Sequence, residues 1–362
     1  MEEVLRAAPM IDGHNDFPIW IRAFYQNHIY QENFTNDGPL IGQVDFPRLA
    51  QGRLRGQFWS VYVECPKTTP TDYSDETYFE ILRDTLQQID LVHRLIRANP
   101  ETLSFAHSST DVWEIFTRHP SRIASILGIE GLHQIANSAS ILRLYHTLGV
   151  RYATLTHECH NAFADSATPL IPQHHGLSPA GETLVHEMNR AGIIVDLAHV
   201  SYETMLDALN VTVAPVIFSH SSAFALCPHE RNVPDDVLRL VQENNGVVMV
   251  SFYPAYTRCD DPLQASIEDV ANHIQYIGQL IGYRHVGMGS DFDGMPAGII
   301  GLEDVSRYPD LVQILLDRGV SVDDLAGVVG GNVLRVMEVV EEVAASMETE
   351  EPLEDNVKPF FS

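Results

Sequence analysis

Eight short apolar runs punctuate this 362-residue chain, nearly all ending on a polar or ionisable residue. They are Pro9–Asp16, Gln57–Val63, Ile123–Glu130, Val150–His157, Ile193–His199, Val216–His220, Val247–Tyr253 and Val286–Asp291. Most are separated by segments that read as helices. Strands alternating with helices form parallel sheets, because a parallel pair needs a long crossover. Eight such units predict an α/β fold, a (β/α)8 TIM barrel of the metal-dependent hydrolase type, with residues 1–346 as one domain. Barrels of this kind carry their chemistry at the C-terminal ends of the strands. Here those ends hold His14, Asp16, Glu130, His157, His199, His220 and Asp291.

Composition narrows the partners. The chain has 22 basic and 49 acidic residues, a net charge of −27. Such a surface repels nucleic acid and anionic lipid. No window approaches the roughly 20 apolar residues of a membrane span. Residues 1–6 lack the basic and apolar regions of a signal peptide. Residues 347–362 are acidic, contain Pro352 and Pro359, and are predicted to form a loosely held tail without a lipid-anchor signal. The expectation is a soluble protein, cytoplasmic or secreted with its leader absent from this sequence, and a homodimer is an allowed assembly. Cys65, Cys159, Cys227 and Cys259 form no CxxC pair, which argues against a thiolate zinc site. Their even number allows two disulfides in three connectivities, or buried free thiols.

Local punctuation supports the helices. Ser178 followed by Pro179 predicts an N-cap, and Gly192 a stop. Ser266 and Asp269 resemble a capping box ahead of Val270, Ile274 and Ile277. Residues 26–46 and 64–75 are long polar insertions after the first two strands, placed to shape the mouth of the barrel or to serve as plain surface loops.

The ionisable residues make a specific set. In His14-Asn-Asp16, residues two apart on a strand point the same way, so both can reach one cation. Glu130 ends an apolar strand, where a carboxylate needs a partner. It can bridge two cations, one oxygen to each. His199 and His220 end successive strands. Ligand counting assigns one divalent metal to His14, Asp16 and Glu130, and a second to Glu130, His199 and His220. Each has three protein ligands and room for a shared water, as catalytic zinc requires. Asp16, Glu130, Asp291 and a bridging hydroxide then balance the charge of two dications. Zinc is the first expectation from ligand type; iron and manganese suit the same donors. Asp291 is placed to take a proton from the attacking water and pass it to the leaving amine, with Asp293 as a rival. His157 is a candidate to stabilise the oxyanion, while His160, His174 and His175 read as surface or supporting residues. Arg231 suits bidentate binding of a substrate carboxylate, with Tyr256 adding a hydroxyl.

These residues resemble the renal, or membrane, dipeptidase family of dinuclear zinc peptidases. The resemblance rests on Ile11-Asp-Gly-His-Asn-Asp16, Gly128-Ile-Glu-Gly131, Thr156-His157, Asp196-Leu-Ala-His199, Ser219-His-Ser-Ser222, Arg231-Asn-Val-Pro-Asp-Asp236 and Gly289-Ser-Asp-Phe-Asp-Gly294. Phe58-Trp-Ser-Val-Tyr62 and Gly301-Leu-Glu-Asp-Val305 match as well, and the resemblance runs from residue 9 to about 340. It implies a barrel that hydrolyses dipeptides with two zinc ions bridged by Glu130. Asp291 would handle the proton, His157 would contact the reacting carbonyl, and Arg231 and Tyr256 would bind the terminal carboxylate. It also implies disulfides Cys65–Cys159 and Cys227–Cys259. The leader and lipid anchor of mammalian members have no counterpart here, so the chain is more similar to soluble microbial or fungal members. By the same analogy, Cys-Gly units of glutathione conjugates are candidate substrates among a broad set of dipeptides. The alternatives are an amidohydrolase-like deaminase, a lactone or β-lactam hydrolase, or a metal-retaining binding protein. The hydrolase alternatives give no reason for a carboxylate clamp, and an intact Asp291 and His157 speak against a binding protein without turnover.

Overall fold

A computed structural model describes residues 1–31, 40–67 and 71–357. Among the described residues nine strands occur: β1 Met10–Asn15, β2 Leu54–Val61, β3 Leu103–Phe105, β4 Ile123–Glu130, β5 Val150–Thr154, β6 Ile194–Asp196, β7 Ile217–Phe218, β8 Val247–Val250 and β9 Val286–Met288. Eight of them run side by side in the order β1-β2-β4-β5-β6-β7-β8-β9, every neighbouring pair parallel. These eight fall on the eight apolar runs. β3 is an extra strand that pairs only with β4. Its three residues are too few for a periodic signal.

The sheet curls into a nearly closed barrel with two thin seams. β6 and β7 share one residue pair, Asp196 with Ile217. β9 meets β1 only beyond its own end, through a bridge between Asn15 and Phe292. There the Asp16 amide donates to the Phe292 carbonyl at 2.8 Å, and the Asp291 amide to the His14 carbonyl at 3.2 Å. The second seam lies at residues singled out for chemistry, and the first lies just ahead of His199 and His220.

Ile11, Phe58, Ile126, Tyr152, Ile217 and Met249 belong to one buried cluster. They come from six strands, so they meet inside the barrel, where side chains of a barrel this size fill the interior. A larger buried cluster joins the outer sheet surface to the helices. Tyr152 crosses the interior because Gly128 leaves room; a Cβ there would lie 2.2 Å from the Tyr152 Cζ.

The helix signals are realised. The helix Pro179–Ala191 has Ser178 Oγ accepting from the Gly181 amide at 3.0 Å, and Gly192 ends it in the left-handed region at φ 77°. The helix Ile267–Ile281 carries the Ser266–Asp269 capping box. The described part of the tail is pinned, contrary to the expectation of a loose segment. Asp355 accepts from the Ala139 amide at 2.8 Å and from Ser138 Oγ at 2.6 Å, capping the helix Ala139–Thr147. Arg143 donates to the Leu353 carbonyl at 2.8 Å.

Candidate active site

Four side chains converge on one oxygen of Glu130 or on its immediate neighbours. His199 Nε2 lies 3.0 Å from Glu130 Oε1, His220 Nε2 3.4 Å and His14 Nε2 3.5 Å. His199 and His220 bring their Nε2 atoms within 2.8 Å of each other. His14 Nε2 is 3.2 Å from Asp16 Oδ2. Two donor triangles therefore share Glu130 Oε1. Ligand atoms about 2.1 Å from a tetrahedral ion stand about 3.4 Å apart, close to the edges observed. Both sets face Oε1, rather than one oxygen each as the sequence suggested. Oε2 instead accepts from Ser60 Oγ at 3.4 Å.

The donor chemistry fits divalent cations. His14, Asp16, Glu130, His199 and His220 are all buried. Nε2 of His14 and Oδ1 of Asp16 have no hydrogen-bond partner among the described residues, an arrangement that buried polar atoms rarely tolerate. Burial pushes His199 and His220 well below the usual histidine range, with Arg231 adding to the effect on His199 and His14 to that on His220, which favours the neutral imidazole that can offer a lone pair. For His14 burial pulls the same way, but Tyr152, Glu130 and Asp16 outweigh it and hold the ring well above its ordinary value. Burial raises Glu130, against the pull of His14.

Asp291 sits beside this cluster, close enough to His14 and Asp16 to join a common donor group. Burial and the Asp16 carboxylate hold it well above the usual carboxylate range. Backbone geometry aims these groups. His199, Asp291 and Asp293 adopt φ of 64°, 66° and 66°, left-handed values that non-glycine residues take sparingly. The chain thus turns sharply just past the strand and returns the side chain to the mouth. Gly294 is required here, since a Cβ would lie 2.3 Å from Asp291 Oδ1 and 2.4 Å from Asp16 Oδ2. Asp293 is tied to the first insertion: its Oδ1 accepts from the Gln43 amide at 2.6 Å and its amide donates to Gln43 Oε1 at 2.7 Å. Burial raises its carboxyl to about 7. The first insertion therefore reaches the site through its described end; residues 32–39 lie outside the described residues, as do residues 68–70 of the second.

A cavity of about 250 Å³ opens onto the cluster, lined by Asp16, Tyr62, Glu130, His157, Glu158, Tyr253, Tyr256, Asp291 and Asp293 among others. His157 Nε2 is 3.9 Å from Glu130 Oε1, and its ring stands edge-on to Tyr62 with centroids 4.8 Å apart. Burial holds His157 well below the usual range. Arg231 is 2% exposed. It forms no ion pair with a carboxylate among the described residues; its guanidinium reaches only Ser221 Oγ at 3.5 Å and the His220 carbonyl at 3.4 Å. It lies over the Tyr256 ring at 5.2 Å, and burial raises the Tyr256 hydroxyl to about 12.

Both cysteine pairs are disulfides, Cys65–Cys159 and Cys227–Cys259, with Cα separations of 6.1 and 5.2 Å. The first ties the loop after β2 to the residue two beyond His157. The second ties the loop carrying Arg231 to the segment carrying Tyr256. His160 and His174 stay outside the cluster. His160 pairs with Asp165 at 3.0 Å, and His174 Nε2 lies 2.8 Å from the Asn161 carbonyl.

Sequence reasoning passed over the residues behind the donors. Tyr152 OH lies 2.8 Å from His14 Nδ1. Asp12 accepts from the Ser290 amide and hydroxyl, both at 2.8 Å, and Asp196 plays the same part toward Ser219. The signal for Asp12 and Asp196 was an acid within an otherwise apolar run. It also passed over Glu158 and Tyr253 on the cavity wall, which no motif marks.

Comparison with known proteins bears on this site. The sequence model of the family described as membrane dipeptidase (peptidase family M19) matches residues 1–351. "Dipeptidase aclJ" of Aspergillus oryzae is 64% identical over 361 residues, covering 100% of this chain and 85% of that protein. Among solved structures, the probable dipeptidase PvdM from Pseudomonas aeruginosa superposes with a TM-score of 0.83 at 23% identity, covering 95% of this chain and 98% of that one. It speaks for the fold. A metallo peptidase from Rhodobacter sphaeroides, liganded with a phosphinate mimic of the dipeptide L-Ala-D-Ala, gives 0.79 at 25% identity, covering 92% and 99%.

Proposed function

Because the chain belongs to the membrane dipeptidase family and is a metal-dependent dipeptidase, we propose that it acts on free dipeptides gripped at both ends by two unlike halves of the barrel mouth. Two divalent ions, zinc by donor type, would be held by His14, Asp16 and Glu130 on one side and by Glu130, His199 and His220 on the other. Such ions supply Lewis acidity and a water nucleophilic at neutral pH. The chain's own residues do the rest. Asp291 accepts the water proton on its carboxylate and returns it to the leaving nitrogen. Burial and the Asp16 carboxylate raise its pKa, which favours holding that proton. His157 donates from Nε2 to the carbonyl oxygen as charge develops there. Arg231 and Tyr256 take the terminal carboxylate.

The observation that carries this reading is the buried Arg231 guanidinium without a carboxylate partner. A buried cation is normally paired, so this one is kept for an anion that arrives with the substrate. A tripeptide would carry its carboxylate one residue too far. Kinetics on a dipeptide and its C-terminally extended tripeptide test it: the dipeptide should be strongly preferred, and equal turnover would remove the clamp.

The same groups contact only backbone and terminal charges, which supports a broad range of side chains. Cys-Gly and S-substituted Cys-Gly belong in that range. A dipeptide panel with added zinc checks it, and strict preference for one ordinary dipeptide would overturn it. The two disulfides support residence in an oxidising compartment. No helix among the described residues is long and apolar enough to cross a membrane.

A further inference from the structure

We propose that Asp196, acting through Ser219, is a positioning residue that sets the spacing of His199 and His220 and fixes which ring nitrogen His220 turns to the donor cluster. This rests on the reading of His220 as a metal ligand. Asp196 ends β6 and is fully buried. It stands at the seam where β6 and β7 share a single residue pair, so the ladder does little to hold the two histidine-bearing segments in register.

One carboxylate oxygen replaces that ladder. Asp196 Oδ1 accepts from the Ala198 amide at 3.1 Å and from the Ser219 amide at 2.8 Å. Ala198 immediately precedes His199, and Ser219 immediately precedes His220. The same atom therefore fastens the residue before each histidine. Its partner Oδ2 accepts from Thr154 Oγ1 at 2.5 Å and Ser219 Oγ at 2.6 Å. With four donors on it, the carboxylate is fully engaged as an acceptor.

The hydroxyl direction follows. Ser219 has one proton, and it goes to Asp196. Toward His220 Nδ1, at 2.9 Å, Ser219 Oγ can then only accept. Nδ1 must carry the ring proton, which leaves the Nε2 lone pair facing Glu130 Oε1 and His199 Nε2. A metal-binding imidazole needs that tautomer, and outer partners of this kind typically change metal affinity by about 10- to 100-fold. The other seam has a related clasp, Asp12 with Ser290, but Ser290 precedes Asp291 rather than a histidine, so no tautomer is set there.

The test is Zn2+ binding by the metal-stripped full chain, in competition with a chromophoric chelator. Ser219→Ala, Asp196→Asn and the double variant are compared, and melting of each metal-free protein serves as the folding measure. Ser219→Ala should weaken one of the two sites by about 10- to 100-fold while its metal-free melting stays near wild type. Asp196→Asn should weaken the same site, and the double variant should lose less than the sum, because both act through one relay. Unchanged zinc affinity in Ser219→Ala would overturn the proposal. So would losses that simply add, or losses that track a fall in metal-free melting, since either makes the pair a fold determinant only. His220→Ala separates the two readings: if it loses one ion while Ser219→Ala loses none, the relay fails and the ligand assignment stands. If His220→Ala keeps both ions, the ligand assignment itself fails, and the relay with it.

Discussion

The donor half of the mouth and the clamp half rest on different supports. His14, Asp16 and Glu130 lie on or next to the ends of β1 and β4, and His199 and His220 follow β6 and β7 within a few residues. Behind them stand buried side chains: Tyr152 on His14, Asp196 on the His199 and His220 segments, Asp12 across the closing seam. Arg231 sits instead on the loop beyond β7, and Tyr256 in the short helix Pro254–Thr257 beyond β8. What holds them is the Cys227–Cys259 disulfide together with Asn232, whose side-chain amide donates to the carbonyls of Cys227 and Tyr256, each at 2.9 Å. The contrast teaches where placement matters most. Metal donors tolerate errors of only a few tenths of an ångström and are built on strand ends. A carboxylate clamp tolerates more, and a covalent staple between two loops is enough.

The largest break in this comparison should come from the atom both donor sets share. Glu130→Gln should lower metal content below two ions per chain and cut activity on the order of 10³-fold, the scale of several kcal/mol of lost charge stabilisation. Metal analysis beside kinetics checks this, and full metal content with near-normal turnover would show that the cluster does not depend on Glu130. Next is Asp291→Ala, which should keep its metal and lose roughly 10²- to 10⁴-fold in kcat. Loss of metal instead would move Asp291 among the ligands. In the clamp half, Arg231→Ala should raise KM about 10- to 100-fold, the worth of a charged hydrogen bond, with zinc content unchanged. A fall confined to kcat would place Arg231 in the chemistry rather than in binding.

The smallest effect sharpens the contrast. Replacing Cys227 and Cys259 together by Ala should destabilise the protein by about 2–4 kcal/mol and raise KM a few-fold, about 0.5–1 kcal/mol of looser docking, while zinc affinity holds. Denaturant melts, dipeptide kinetics and chelator competition on the same preparation would show it. If zinc affinity falls along with KM, the two halves are not independently supported.

Much of this was legible before any coordinates. Apolar runs of strand length, most of them separated by helical patterns, leave few architectures other than a parallel barrel, because burial on both faces demands continuous apolar strands. The position of an ionisable residue at the end of such a run places it at the mouth, so His14, Asp16, Glu130, His199, His220 and Asp291 could be named from order alone. Which cysteines pair was open to three connectivities on residue count and was narrowed only by family resemblance. β3 and the pinned segment around Asp355 escaped notice, since three residues show no period and an acidic, proline-bearing stretch looks like solvent-exposed chain.

Tertiary structure alone decided the rest. Periodicity says which residues reach the mouth but not how far apart their tips lie, and it could not foresee that both donor sets face the same oxygen of Glu130. Nor could it tell that Asp12 and Asp196, acids within apolar runs, close the two seams where the backbone ladder runs thin. Those roles depend on distances between strands far apart in sequence, fixed by barrel closure and side-chain packing. A linear pattern carries the burial and direction of each residue; the partner it meets across the barrel is set by the fold as a whole.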